Sequence, residues 1–397
     1  MILWGLFWSS EVRGIDLETL TGPAVEHHPA VQECLQKIAV LQGQWTQAGL
    51  PPNPTLQYVA EEMGSGTMGR QGIEISQEIV TGGKLSQAQQ VLCAEIQTTA
   101  RELEVVRQKV ETDIRLAAYD YLTARKKRDS FQSIREICST EFRLAEQKHK
   151  AGQIPSQVLL PIQIELQKAE AQYAAAQNDL LCTWHVLACA LGNPDLSPVE
   201  IEAEYDSDSA PLTWEAYRSS VLANHPKIRE AESQLAAARQ KLQLEHARKS
   251  PNITVSGGIS YESEIHQTQA TVGIGIPLRV FDRNQGNISS AYADIQRAQE
   301  TLEKTILSVQ NQLSLSYREY ANACILAVRY QNEILPKAKE MMDLSQRGYA
   351  SASMDYLELL NSQRTYTTLM VSYLDAMGTY WRHKILLQGQ LLSGALE

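Results

Sequence analysis

The sequence predicts a mainly α-helical protein with a small β part, built from long coiled-coil helical hairpins and four short strands. Three observations lead to this fold class. Gln, Glu, Leu, Ala and Arg run densely through long stretches without proline, which is typical of long packed helices. One plan of elements occurs twice along the 397 residues. Two pairs of short segments alternate apolar and polar side chains, as half-buried strands do.

An internal repeat organises the chain, and a repeat of this length determines the whole architecture. His28-Pro29 begins a helical stretch that runs to Pro54. His225-Pro226 begins a second stretch that runs to Pro251, so both landmarks are offset by 197 residues. After each stretch come two alternating segments, a very long helix, a turn of small residues and a return helix. We therefore expect two structural repeats joined by a loop.

The boundaries of the elements follow from these landmarks and from the glycines and prolines between them. The chain divides into an apolar N-terminal segment over 1–16, interpreted as the remnant of an export signal, a first repeat over 17–192, a linker over 193–211 and a second repeat over 212–392. In the first repeat we expect strands over 54–61 and 72–80, a long helix over 85–150 and a return helix over 155–191. In the second we expect strands over 252–261 and 270–279, a long helix over 287–349 and a return helix over 354–390.

The four predicted strands each place apolar side chains on one face and polar ones on the other. Ile253, Val255, Ile259 and Tyr261 alternate with Thr254, Ser256 and Ser260, and the other three segments alternate in the same way. Each segment has about ten residues, which is the length of a tilted strand that crosses a bilayer. Four strands cannot close a barrel in lipid, so we expect three chains to share a barrel of twelve strands.

Apolar residues recur at three- and four-residue steps along both long helices. In the first they are Leu103, Val106, Val110, Ile114, Ala117, Tyr121 and Ala124. In the second the stripe is Leu302, Ile306, Val309, Leu313, Ser316, Tyr320 and Ala323. A helix of some 65 residues is about 100 Å long, which is typical of a coiled-coil arm or of one stave of a helical tube. The sequence contains no stretch of 18 or more apolar residues, so a transmembrane helix is not predicted.

Several other classes of function are disfavoured. The net charge of −10 and the lack of a basic cluster argue against nucleic-acid binding. The histidines are dispersed and the six cysteines form no CxxC pair, so no metal site or cofactor is predicted. Cys182 and Cys189 are interpreted as buried small side chains. Gly64, Gly66 and Gly69 match a phosphate-loop pattern, but they lie between two strands and are read as a hairpin loop. No catalytic constellation emerges, so we do not expect an enzyme.

Over residues 17–390 the chain resembles the TolC-like outer-membrane factor family. The residues that carry the resemblance are the twofold plan, the segment Gln77-Glu78-Ile79-Val80-Thr81-Gly82-Gly83-Lys84 after the second strand, and Ala151-Gly152 before the return helix. The Gln-x-Ile-x-x-Gly-Gly-Lys pattern is most similar to the CzcC-like branch, which serves heavy-metal cation exporters of the resistance-nodulation-division type. The resemblance implies a homotrimer whose barrel lies in outer-membrane lipid and whose helical tunnel extends into the periplasm to meet an adaptor (membrane fusion) protein and an inner-membrane pump.

The resemblance also implies functional residues at the hairpin tips. Tyr349, Glu358 and Asn361 correspond to residues that constrict the tunnel, although Met354 stands where the family has a gating Arg. The implied adaptor-docking residues are Ala151, Gly152, Ile154, Ala352, Ser353 and Met354. A ring of three Glu358 carboxylates would favour cations.

The predicted function is a passive duct of a tripartite efflux system for heavy-metal cations or small toxic compounds. Two alternatives stay open. The same architecture serves as the exit duct of a type I protein secretion system, whose pump is an ATP-driven exporter. A soluble coiled-coil scaffold would explain the helices, but it would not explain two pairs of alternating strands at matching places.

Overall fold

The computed structural model describes residues 15–64, 67–203, 205, 213–351 and 353–396. The helices are α1 Leu17–His27, α2 Pro29–Ala48, α3 Lys84–Lys150, α4 Ser156–Ala190, α5 Trp214–Asn224, α6 Pro226–Ala247, α7 Gln285–Arg329, α8 Leu335–Ala350 and α9 Tyr356–Gln388. The strands are β1 Ile15–Asp16, β2 Thr55–Gly64, β3 Thr67–Ile79, β4 Ile201–Glu202, β5 Ile253–Glu262 and β6 Gln267–Gly275. Of the apolar segment 1–16, all but the last two residues lie outside the described residues.

The mainly α-helical fold class is confirmed, and α3 runs unbroken for 67 residues. None of the helices in the described part of the chain combines the length and hydropathy needed to span a lipid bilayer. Residues of the predicted stripe such as Val110, Ile114 and Ala117 are buried, because they lie at three- and four-residue steps on one face of α3. His28 and His225, which precede the prolines at the starts of α2 and α6, are also buried.

The expected continuous helix over 287–349 is wrong in one respect. It is divided into α7 and α8 by a π-helical segment, Tyr330–Ile334, in which the backbone N–H of Leu335 donates to the carbonyl of Tyr330. Pro336 explains the interruption, because proline has no N–H and its ring clashes with the carbonyl four residues earlier in a regular helix.

The four longer strands form one antiparallel sheet in the order β2-β3-β5-β6. Strand β3 of the first repeat pairs with β5 of the second along ten residue pairs, from Arg70↔Glu262 to Ile79↔Ile253. Gly64 pairs with Thr67, as the hairpin interpretation of the glycine pattern requires. Two expected strands are misplaced. The strand expected over 72–80 begins earlier, at Thr67. The strand expected over 270–279 is misplaced at both ends: β6 begins at Gln267, opposite Glu262, and ends at Gly275, opposite Thr254.

The chain forms two compact units. One unit comprises residues 33–104 and 224–307 and contains the four-stranded sheet with the helical segments next to it. The other comprises residues 1–32, 105–223 and 308–397 and contains both helical hairpin tips. The expected linker 193–211 is partly structured in this second unit. Its strand β4 pairs with β1, and the Tyr205 ring stacks 6.4 Å from the ring of Tyr119.

The expectation for two cysteines is wrong. Cys182 and Cys189 are both exposed on α4, whereas Cys34 and Cys324 are buried. The spacing of seven residues does place Cys182 and Cys189 on one helix face, but that face is directed away from the core of the chain. Periodicity alone identifies a shared face and does not say which way it points.

Candidate functional site

Most apolar side chains of the four-stranded sheet lie on one face, and most polar side chains lie on the other. Because directly paired residues share a face, the pairs Leu56↔Ile75, Tyr58↔Ile73 and Val255↔Ile274 identify one apolar face. This face, here called the apolar sheet face, is exposed to the surroundings in the isolated chain. Its large members are Leu56, Tyr58, Ile73, Ile75, Ile79, Val255, Ile259, Tyr261, Val272 and Ile274.

The opposite face of the sheet is polar and carries more acidic than basic side chains. Its pairs include Gln57↔Glu74, Ser76↔Ser256 and Ser260↔Gln269. The charged side chains that the pairing assigns to this face are Glu61, Arg70, Glu74, Glu78 and Glu262. Arg70 Nε donates to Ser260 Oγ at 3.0 Å, and its guanidinium lies 3.7 Å from the Glu61 carboxylate.

Glycines on the polar face mark positions where neighbouring strands approach closely. A Cβ at Gly72 would lie 2.6 Å from the carbonyl oxygen of Ile259, and one at Gly258 would lie 3.0 Å from that of Ile73. A side chain at Gly72 would force the two strands to shift, and one at Gly258 would make a tight contact with the neighbouring strand.

A network of polar contacts ties the end of β3 to the start of β5. Gly82 and Gly83 have φ of +71° and +68°, so the chain turns from strand to helix through two left-handed residues. Lys84 and the Thr81 backbone both donate to the side-chain oxygen of Asn252, and Asn252 donates to Glu78 at 2.6 Å. This network explains the Gln-x-Ile-x-x-Gly-Gly-Lys pattern as a strand-to-helix junction that joins the two repeats.

The first hairpin tip is a tight turn between α3 and α4. Gly152 adopts φ +73°, and the N–H of Gln153 donates to the Lys148 carbonyl at 2.9 Å, which is the usual way to end a helix at glycine. His149 Nδ1 lies 2.8 Å from the carbonyl oxygen of Ile154, and Ile154 packs against the apolar cluster described below. Among the proposed docking residues of this tip, Gly152 therefore shapes the turn and Ile154 anchors it.

The second hairpin tip lies between α8 and α9. Ser353 N–H donates to the Gly348 carbonyl at 2.9 Å, and Asp355 caps α9 through the N–H of Tyr356 at 2.7 Å. Met354 lies over Gly348, where a Cβ would come within 3.1 Å of the methionine Cβ. Met354 thus helps to close the hairpin. Ala352 lies outside the described residues.

An apolar cluster fastens the two tips to each other. Its buried members are Ala145, Ile162, Tyr356, Leu359 and Leu360. The rings of Tyr349 and Tyr356 meet edge to face at 5.8 Å, and the Lys148 ammonium lies 5.3 Å from the Tyr349 ring centre. Burial raises the pKa of both tyrosine hydroxyls, so both stay neutral. An open groove of about 800 Å³ runs beside this cluster.

The structure separates the three predicted constriction residues. Glu358 and Asn361 are exposed and lie three residues apart on α9, so they share one face of the helix. Tyr349 is half-buried and packs into the cluster between the tips. The carboxylate and the amide can therefore act together at one surface, while the tyrosine supports the position of the helix ends.

Two polar links between the hairpins were missed by the sequence reasoning. Gln363 donates to the Glu141 carboxylate, and Arg364 Nε donates to the Glu165 carboxylate at 3.0 Å. Burial raises the pKa of the Glu141 carboxyl, and the hydrogen bond from Gln363 partly offsets this effect. Burial also raises the pKa of the nearby Cys138 thiol to about 11. The signal in the sequence that could have indicated these links is the set of polar residues that interrupt the apolar stripe near each tip.

A family model described as "Outer membrane efflux protein" matches residues 20–193 and 217–388. The chain belongs to this family. The two matched segments correspond to the two repeats. Together with the fold, they identify the chain as an outer-membrane efflux channel protein.

Individual relatives are distant in sequence and close in fold. The chain is 26% identical over 340 residues to the cobalt-zinc-cadmium resistance protein CzcC of Cupriavidus metallidurans, which covers 84% of this chain and 79% of the relative. It is 23% identical to the cation efflux system protein CusC of Escherichia coli K12, over 53% of this chain and 48% of that protein. The crystal structure of the outer membrane protein VceC from Vibrio cholerae matches with a TM-score of 0.75 and 16% identity, over 95% and 96% of the two chains.

Proposed function

We propose that three copies of this chain form a passive outer-membrane duct that exports heavy-metal cations. In this proposal the duct works with a periplasmic adaptor and an inner-membrane pump of the resistance-nodulation-division type. The pump supplies the energy, and the duct supplies only a path. The chain itself then needs no catalytic group.

The observation that carries the proposal is the division of the sheet into two faces. Strands of nine to thirteen residues are long enough to cross a bilayer when tilted. An exposed apolar face suits lipid, and a polar face suits a water-filled lumen. Because an open sheet edge is not tolerated in lipid, the free edges of β2 and β6 in the described part of the chain call for neighbouring copies.

Twelve strands from three copies are the smallest number that leaves a lumen inside the barrel. Two copies give eight strands, and a barrel of eight strands is filled by its own side chains. Three copies leave a lumen and close with cyclic symmetry, in which each β6 meets the β2 of the next copy. The antiparallel order of the sheet makes this contact antiparallel as well.

Heavy-metal cations are favoured as cargo by the relatives and by charge. CzcC and CusC are named for cobalt-zinc-cadmium resistance and for cation efflux. In this chain four glutamates and one arginine lie on the polar sheet face, and Glu358 is exposed near the second tip. Among the described residues, no group of three or more His, Cys, Asp or Glu is placed to hold a metal ion. Cations would therefore pass through the duct by electrostatic preference.

Two experiments test the proposal. The protein is purified from outer membranes in detergent, and its native mass, corrected for bound detergent, should equal three times 44.3 kDa. In the host bacterium, deletion of the gene should lower tolerance to zinc, cobalt and cadmium salts several-fold, and the intact gene should restore it. Unchanged metal tolerance with the loss of a secreted protein from the medium would favour the type I secretion alternative. A soluble monomer absent from the membrane fraction would favour the coiled-coil scaffold.

A further inference from the structure

The two repeats can be superposed residue by residue through two offsets. An offset of 197 residues relates the start of α2 at Pro29 to the start of α6 at Pro226. An offset of 201 residues relates the start of α3 at Lys84 to the start of α7 at Gln285. The second offset also relates Gly83 to Asn284, and these residues have similar positive φ angles of +68° and +62°. Strand β2 thus corresponds to β5 by the first offset, and β3 corresponds to β6 by the second.

The pairing inside each hairpin agrees with the sum of the two offsets, and the position of the apolar face agrees with each offset being odd. The pair Gln57↔Glu74 of the first hairpin is carried onto Thr254↔Gly275, which is a pair of the second hairpin. Both offsets are odd and carry the apolar sheet face of one hairpin onto that of the other. An even offset would exchange the apolar and polar faces.

Strand β6 is shorter than its counterpart at one end. Strand β3 continues to Ile79, and its last three residues pair with β5 and lie beyond the start of β2. The corresponding residues of the second repeat are 278–280, which follow the end of β6 and lie beyond the start of β5. Ile276 and Leu278 nevertheless continue the alternation of β6, and they are 52% and 86% exposed. The Val280 N–H then turns back to the Leu278 carbonyl at 3.1 Å, which ends the extended segment.

The geometry points to a specific partner for this segment: residues 276–278 extend β6 and pair with strand β2 of a neighbouring copy of the chain. The two offsets convert the observed pair Gln77↔Val255 into the pair Leu278↔Tyr58 between copies. Ile276 then lies opposite Ala60. This register rests on the proposed oligomeric channel, and it adds which residues meet at the subunit boundary.

The register explains features that the isolated chain leaves without a role. The exposed side chain of Leu278 joins the apolar sheet face next to Tyr58 of the neighbour. Pro277 lacks an N–H, but β5 begins at Ile253 and offers no strand residue opposite position 277. The extension therefore loses no ladder hydrogen bond if the Pro277 nitrogen faces that side.

Inter-subunit disulfides test the register. The double variant Tyr58→Cys/Leu278→Cys should cross-link on mild oxidation in outer membranes, because directly opposite residues have Cα atoms about 4.5–5.5 Å apart. The shifted double variant Tyr58→Cys/Ile276→Cys should not, because a shift of two residues adds about 6–7 Å along the strand. Ala60→Cys/Ile276→Cys is a second in-register pair in case the first disturbs assembly.

Non-reducing gels give the readout. The in-register pairs should shift from the band of one chain to bands of two and three times 44.3 kDa, and reduction should reverse the shift. Each single variant shows the background from the six native cysteines. Stronger cross-linking of the shifted pair, or none in any pair although the native mass is that of an oligomer, would overturn the register. A monomeric native mass would instead overturn the proposed channel.

Discussion

Individual side chains on the sheet are exposed where a water-soluble protein would bury them. Val272 is 81% exposed on the apolar sheet face, and Gln269 lies on the polar face of the same strand. Val272→Arg should reduce the amount of assembled protein in the outer membrane strongly, because a lipid-facing arginine near the bilayer centre costs about 2–4 kcal/mol. Gln269→Arg is the matched control, and immunoblots of membrane fractions should find it at the unsubstituted level. Equal levels for both variants would exclude a lipid-facing role for Val272.

A buried histidine makes stability depend on pH. Burial lowers the pKa of His28, although Asp113 raises it in part, and the His28 Nδ1 accepts the N–H of Ala30 at 3.2 Å. The unfolded chain therefore binds a proton near pH 6.5 that the folded chain resists, so the free energy of unfolding falls as the pH drops below 6.5. Thermal unfolding at pH 7.5 and 5.5 measures the difference.

The controls isolate His28 from the other histidines. His28→Asn keeps an acceptor for the Ala30 N–H and should lose less stability between the two pH values than the unsubstituted chain. Some dependence should remain, because burial also lowers the pKa of His383. His27→Asn changes an exposed neighbour, and the effect of His28→Asn on the slope should exceed its effect. A full slope in His28→Asn would mean that protonation of His28 does not oppose folding.

At the scale of elements, the hairpin turn at Gly152 depends on a left-handed backbone. A Cβ at Gly152 would meet no described atom within 4 Å, so Gly152→Ala should cost only backbone strain, about 1–2 kcal/mol. Hydrogen exchange of the Gln153 amide should become faster by the corresponding factor. Gly43→Ala, in the interior of α2 with equally open surroundings, should instead stabilise its helix by about 0.5–1 kcal/mol. The same sign for both variants would contradict this account.

Most elements could be predicted from the sequence because their signals are local. The positions of the prolines and the three- and four-residue spacing of apolar residues predict the start of α3 to within one residue. The alternation of apolar and polar side chains identifies all four strands of the sheet. The end of β6 was misplaced because a strand ends where its partner ends, and β5 begins at Ile253. The apolar stripe of the second long helix does not predict the π-helical segment, whereas Pro336 is a signal against an unbroken helix. The links from Gln363 and Arg364 depend on how hairpins pack, which periodicity does not determine.

At the scale of the whole molecule, the proposed trimer would bring three copies of Glu358 together. Glu358 lies in the first turn of α9 and is exposed with Asn361 on the same face. Nearby, the Gln363 and Arg364 side chains bind carboxylates of the first hairpin and hold α9 in place. If the shared face of Glu358 and Asn361 lines the duct, the three carboxylates form an anionic ring that attracts cations and repels anions.

Charge reversal at this position should change the ion selectivity of the duct. In planar lipid bilayers under a KCl gradient, Glu358→Lys should lower the ratio of cation to anion permeability several-fold, because three positive charges replace three negative ones at one level of the pore. Glu215→Lys makes the same charge change on α5 and serves as the control. A reversal potential unchanged by Glu358→Lys would remove Glu358 from the lining. An equal shift in Glu215→Lys would mean that overall charge, not a ring at the second tip, determines selectivity.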